Sequence, residues 1–110
     1  MVKASIKRNS KGDIIEFEIK GHANYASHGE DIVCAAISAL SQTAIIGLSD
    51  YAHVKCEFKI NSGYLHCKLP FELNIDKRLI VNAIVETMVL GIKNIKEGYP
   101  SFVTLDEKEV

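Results

Sequence analysis

Apolar and polar residues alternate in two separate pairs of runs along this chain, and that period of two most restricts what it can fold into. Val2, Ala4 and Ile6 are interleaved with Lys3, Ser5 and Lys7. After Asn9-Ser10-Lys11-Gly12 the alternation resumes, with Ile15, Phe17 and Ile19 against Glu16, Glu18 and Lys20. A strand sends successive side chains to opposite faces, so each run has one apolar and one polar face. Folding the runs back with Ile6 opposite Ile15 sets Ala4 against Phe17, Val2 against Ile19, and Lys3 against Glu18. A slip of one residue would mix the faces. Downstream, Val54, Cys56, Phe58 and Ile60 alternate with Lys55, Glu57 and Lys59. Beyond Asn61-Ser62-Gly63-Tyr64, Leu65, Cys67 and Leu69 alternate with His66 and Lys68. Pairing Ile60 with Leu65 sets Phe58 against Cys67 and Cys56 against Leu69, with Ser62-Gly63 at the tip, where glycine tolerates a positive φ. Two β-hairpins are expected.

The residues between them, from about Asp31 to about Asp50, contain no proline and repeat Val33, Ile37, Leu40, Ala44 and Leu48 at helical spacing. Ala35, Ser38, Ala39 and Ile45 make the other sides small or apolar, so this helix is either deeply buried or packs a second surface such as a partner subunit. A second helix is expected from about Asp76 to about Glu97, with Ile80, Ile84, Met88, Gly91 and Ile95 as its stripe and Gly98 and Pro100 as its stop. Ser101 to Leu105 reads as a short final strand, and residues 105–110 read as a frayed tail. The expectation is one α+β domain over 1–110, in the order ββαββα with a short last strand, built as a mostly antiparallel sheet packed with two helices.

Composition narrows the function. The chain has 110 residues, 47% of them apolar and 25% charged, with a formal net charge of −1. That balance suits one globular domain and offers no clustered positive surface for direct nucleic-acid binding. The first residues hold no apolar run long enough for a signal peptide, and polar residues interrupt the apolar segments, so no membrane span is expected. Three cysteines, an odd number at irregular spacing, fit a reducing compartment, and the chain reads as cytoplasmic.

The chemistry gathers in Gly21–Ala36, GHANYASHGEDIVCAA. Gly21 follows the second strand, which puts His22 at a strand end. Residues 23–30 read as a loop with Gly29 as a hinge. Asp31 stands where a helix N-cap would be, and Cys34 then falls in the first helical turn. A free thiol titrates near ~8.5, and a helix N-terminus or a cationic histidine lowers such a group to roughly 3.5–7.5. Unpaired first-turn amides can hold an oxyanion, and a nearby imidazole can take the thiol proton and pass it to a leaving amine. By composition alone, Cys34 reads more readily as a small buried core residue of an Ala-rich helix than as a nucleophile. Cys56 and Cys67, on an inward strand face, read as core.

The run Gly21-His22-Ala23, then Gly29, then Asp31-Ile32-Val33-Cys34-Ala35-Ala36-Ile37-Ser38 closely resembles the ribosomal-processing cysteine protease family, Prp. The resemblance spans the chain in length and element order. It implies a cytosolic cysteine endopeptidase, acting as a homodimer, that removes the N-terminal extension of large-subunit ribosomal protein twenty-seven after a pair of aromatic residues. It also implies His22 and Cys34 as the catalytic pair and calls for no cofactor. Position 37 is Ile where the family often has Val, and Asn24–His28 is the least family-like stretch. Asp31 either orients His22 or caps the helix. Ser38, one turn after Cys34, either lines the site or bonds back to the helix. His28 either contacts substrate or is a solvated loop residue, and His53 and His66 are assigned no role.

Two rivals stand beside this reading. His22, His28, Asp31 and Cys34 are zinc-type ligands, although their spacing matches no usual structural site. A non-enzymatic ribosome-assembly factor could use the apolar first helix as a docking face, but that gives no reason for the thiol.

Overall fold

A computed structural model describes residues 1–21 and 28–110 of the chain, with side chains described for all of these except 28–31. Strands β1 (Val2–Arg8) and β2 (Ile14–Lys20) form the first hairpin, and β3 (Glu57–Asn61) and β4 (Tyr64–Lys68) form the second. Helix α1 (His28–Ile46) lies between them and runs on as a π-helical turn, Gly47–Tyr51. Helix α2 (Ile75–Gly98) and strand β5 (Val103–Glu109) complete the fold. The five strands are ordered β3-β4-β2-β1-β5, all pairs antiparallel except the parallel β1–β5 edge. This is the expected α+β architecture.

The second hairpin has the expected register: Ile60 opposes Leu65 and Phe58 opposes Cys67. The first is displaced by two residues, with Ile6 against Phe17, Ala4 against Ile19 and Lys3 against Lys20. A two-residue slip keeps every side chain on its face, so the alternation alone could not distinguish the two registers. A bulge sets Arg8 opposite Ile14 and Lys7 opposite Glu16, and this turns Ile14 into the core beside a partly buried Ile15.

The residues expected to fray instead form most of β5. Val103 to Glu109 pair with Val2 to Arg8, and the Val110 amide donates to the Arg8 carbonyl at 2.9 Å. The charges of this segment have partners. Glu107 accepts from Arg8 at 2.8 Å and lies 3.2 Å from the Lys93 ammonium, while Arg8 also grips Glu86 of α2 at 2.6 Å. A bidentate, partly buried guanidinium is a stronger tie than an exposed pair.

The core lies between the sheet and the two helices. From α1 it takes Val33, Ile37, Ala44 and Ile45, and from the π-helical turn Leu48, largely the expected stripe. Ile32–Tyr51 is long and apolar enough to cross a membrane by length and composition, with a mean hydropathy of 1.8, which the sequence reading had not anticipated. Only 33% of that segment is buried within the chain, so packing on the sheet and approach to α2 account for part of its apolarity. Helix α2 differs from expectation in its facing. Val81, Val85, Met88, Val89 and Ile92 are buried against the sheet. The expected stripe lies beside them, with Ile84, Met88, Gly91 and Ile95 lining the groove toward α1. Two adjacent apolar stripes made the choice ambiguous. Asn74 caps α2, its side chain accepting from the Lys77 amide at 2.8 Å.

Candidate active site

The site is assembled where the ends of several strands meet the N-terminal half of α1. Strand β2 stops at Lys20, and Gly21 follows with φ of +104°. Its amide donates to the Gly63 carbonyl at 3.0 Å, tying the end of β2 to the β3–β4 turn. A Cβ built there would sit 2.1 Å from the Met1 carbonyl oxygen. Glycine is therefore required both by φ and by the close approach of the chain start.

Cys34 is half-buried on α1 and packs against the core. It opens on a small cavity of about 30 Å³, room for about one water, whose walls include Gly21, Ser38, Gln42, Ile60 and Tyr64. Ser38 thus lines the same cavity as Cys34. Next to it, Ser41 is fully buried and its hydroxyl donates to the Ile37 carbonyl at 2.8 Å. The Tyr64 hydroxyl donates to Glu18 at 2.9 Å, holding the ring on the polar face of the sheet.

Three expectations about the helix start are corrected. Helix α1 begins at His28, so residues 28–30 are helical and not loop, and Asp31 lies inside the first turn and not at the cap. Cys34 consequently sits six residues into the helix, about 9 Å along its axis, in the second turn. The amide of residue 34 is there directed at the carbonyl of residue 30. The sequence did carry a signal for the earlier start. Ser27-His28-Gly29-Glu30 is an S-x-x-E run, the capping-box pattern, and Glu30 and Asp31 suit the positive end of a helix dipole. His22 and residues 23–27 lie outside the described residues, as do the side chains of His28 and Asp31.

The remaining histidines and thiols sit elsewhere. His66 is on the outward face of β4, 2.7 Å from Glu16. His53 follows the π-helical turn with φ of +53°. Cys67 is buried, as expected of a core thiol, and Cys56 is only half-buried. The Cys67 thiol donates to the Cys56 sulfur. This hydrogen bond holds Cys56 below the ordinary thiol range and, with burial, pushes Cys67 up. Among the described residues no group of three or more His, Cys, Asp or Glu is placed to hold a metal ion.

Comparison with known proteins places this geometry. The profile of the family described as "Cysteine protease Prp" matches residues 1–104. A "Ribosomal processing cysteine protease Prp" of Bacillus subtilis is 30% identical over 102 residues, covering 90% of this chain and 90% of that protein. One of the same description from Staphylococcus aureus is 31% identical over 111 residues, covering 98% of this chain and all of the relative. A crystal structure from Streptococcus mutans superposes with a TM-score of 0.86 at 31% identity, covering 100% of this chain and 96% of that one. The S. aureus protease "in complex with a covalently linked product Peptide" shares the fold, with a TM-score of 0.84 at 24% identity over 98% of this chain and 100% of that one. With the family profile matched over nearly its whole length, the chain belongs to the Prp family of cysteine proteases and is a hydrolase of the cysteine-peptidase type.

Proposed function

We propose that this protease is a cytoplasmic endopeptidase that removes the N-terminal extension of large-subunit ribosomal protein twenty-seven, cutting after two aromatic residues. Cys34 is the nucleophile and His22 the general acid and base. One observation carries the assignment of residues: Cys34 opens on a cavity whose lining includes Gly21, the immediate neighbour of His22. The chain also resembles named ribosomal-processing proteases over nearly its full length.

In the proposed reaction His22 takes the Cys34 thiol proton as the sulfur attacks the scissile carbonyl. It returns that proton to the departing amine, and water then hydrolyses the thioester. Oxyanion capture by first-turn amides requires Cys34 to stand near a helix N-terminus. We place that arrangement in the substrate complex, with the first turn, from His28 to Glu30, opened. Gly29, in that turn, favours this, since glycine is a poorer helix former than alanine. Asp31 then regains the capping position. Hydrogen exchange at residues 28–33 is expected to accelerate when an uncleavable peptide binds, and unchanged exchange would count against the opening while leaving the catalytic pair intact.

Incubation with the extended ribosomal protein, followed by intact-mass measurement of both products, tests the activity. Cys34→Ala and His22→Ala are each expected to abolish cleavage with the fold retained. Cleavage surviving in Cys34→Ala would remove the assignment. Stoichiometric zinc, lost with Cys34→Ser, would favour the metal reading instead. A homodimer is also part of the proposal. The groove of about 810 Å³ between α1 and α2 is lined by Ala36, Ala39, Thr43, Ala83, Thr87 and Gly91, and no charged residue lines it. Sedimentation of Ala39→Arg is expected to show a monomer.

A further inference from the structure

Strand β3 lies at one edge of the sheet, and among the described residues no strand pairs with its outer side. All five of its residues are exposed. Two of them are large and apolar and lie on the helix-side face, because Phe58 opposes buried Cys67 and Ile60 opposes buried Leu65. Phe58 is 55% exposed and Ile60 41%. An edge strand of this kind normally turns charge or a covering element toward the open side. Here Glu57 and Lys59 point to the polar face, and the helix-side face of β3 overhangs the helices.

The overhang is continuous with the catalytic cavity. Ile60 is a wall of the cavity onto which Cys34 opens. Phe58 is a wall of the next cavity along, about 300 Å³, together with Ile45, Ser49 and Cys56. Helix α1 follows the same course, from Cys34 and Gln42 at the first cavity to Ile45 at the second. The result is an apolar strip beside unpaired strand backbone, leading to the thiol.

We infer that the outer edge of β3 is the docking edge for substrate: an extended peptide adds as a sixth strand, with alternate side chains laid on Ile60 and Phe58. This rests on the peptidase reading above and specifies where the peptide runs. Main-chain hydrogen bonds to a free edge give sequence-tolerant affinity, and pockets for every second side chain give selectivity. From Ile60 back to Cys56 the strip spans about 13 Å, so about four substrate residues lie along it on one side of the cut bond. Adjacent aromatic residues of an extended peptide face opposite ways, so one of the pair packs on the strip and the other turns to the opposite face of the sheet.

The test uses a peptide spanning the aromatic pair and the wild-type chain, with Phe58→Ala, Ile60→Ala and, as the conservative replacement, Phe58→Tyr. Leu90→Ala, a change at an exposed α2 position, is the control. The two alanine variants are expected to lose at least tenfold in kcat/KM, chiefly through KM, with Cys34 alkylation by iodoacetamide unchanged in Phe58→Ala, whose side chain lies outside the Cys34 cavity. Phe58→Tyr and Leu90→Ala are expected to stay within twofold of wild type. N-methylation of substrate residues is expected to divide by parity, one of two neighbours losing tenfold and the other little, because only alternate amides of an added strand face β3. If the wild-type chain cuts nothing, the peptidase reading falls and this one with it. If it cuts and the alanine variants cut equally well, or both N-methyl peptides are tolerated, only the strand docking is overturned. If Phe58→Ala instead turns a dimer into a monomer with unchanged cleavage, the edge belongs to a second copy and the inference is wrong.

Discussion

Which of the three sulfurs reacts is decided by surroundings more than by residue type. Cys67 is enclosed and donates its proton to Cys56, so it is the poorest nucleophile of the three. Cys56 is half-exposed and biased toward thiolate by the hydrogen bond it receives, so it competes with Cys34 for reagents. Alkylation of Cys34→Ala is therefore expected to label Cys56 and spare Cys67. Cys67→Ala removes the donor and is expected to move the pH midpoint of Cys56 alkylation upward, read by mass spectrometry. It should also cost about 1–2 kcal/mol through the small cavity it leaves. A downward move of that midpoint would contradict the hydrogen-bond direction. The core role of Cys67 was legible in its strand face. The contact between the two thiols was not, because Cys56 opposes Leu69 by register and meets Cys67 only diagonally.

At the level of elements, Gly21 joins β2, the chain start and the β3–β4 turn at the wall of the cavity onto which Cys34 opens. Gly21→Ala combines a positive φ with a Cβ inside the Met1 carbonyl, so a loss of at least about 2 kcal/mol is expected, measured by denaturant midpoint. Cleavage should fall at temperatures where the fold persists. Gly29→Ala should act in the opposite sense, strengthening the first turn of α1 by less than the roughly 1 kcal/mol of a helix interior. It is expected to slow turnover while raising the melting temperature. Faster turnover would refute the opening of that turn. The contrast shows what the sequence could and could not convey. The period of two placed four strands and paired the second hairpin correctly, because Ile60 and Leu65 flank a tight turn that fixes register. The first hairpin slipped by two because its turn, where Asn9 accepts from the Lys11 and Asp13 amides, is followed by a bulge that alternation does not encode. Cys34 stands out in the sequence by its motif. Its place in the second turn is less plain, because the sequence offers two cap candidates, Asp31 and the Ser27–Glu30 pattern, four residues apart.

For the whole molecule, strand order and the fifth strand depend on long-range pairings that no local pattern reveals. Asp106 to Glu109 look like a solvated tail until Arg8, Glu86 and Lys93 are brought around Glu107 by the parallel pairing of β5 with β1. Those pairings make stability depend on acid in a predictable direction. The Glu107 carboxyl is held below its ordinary value chiefly by its hydrogen bond from Arg8. Asp13 is held low chiefly by Asn82, and Glu16 chiefly by His66. A carboxyl with a depressed folded value favours folding above its unfolded value, because the unfolded chain takes up the proton first. That contribution is complete above about pH 5 and is lost as pH falls through the folded values. The melting temperature is therefore expected to be level between pH 7 and about pH 5 and to decline below that. Glu107→Gln should lower it at pH 7 and flatten the decline, since the substituted amide cannot titrate. In wild type, β5 should be the first strand released, seen as faster hydrogen exchange at residues 103–109 before the β2–β4 pairing opens. Simultaneous release of all five strands would mean that the ion cluster around Arg8 does not govern the edge.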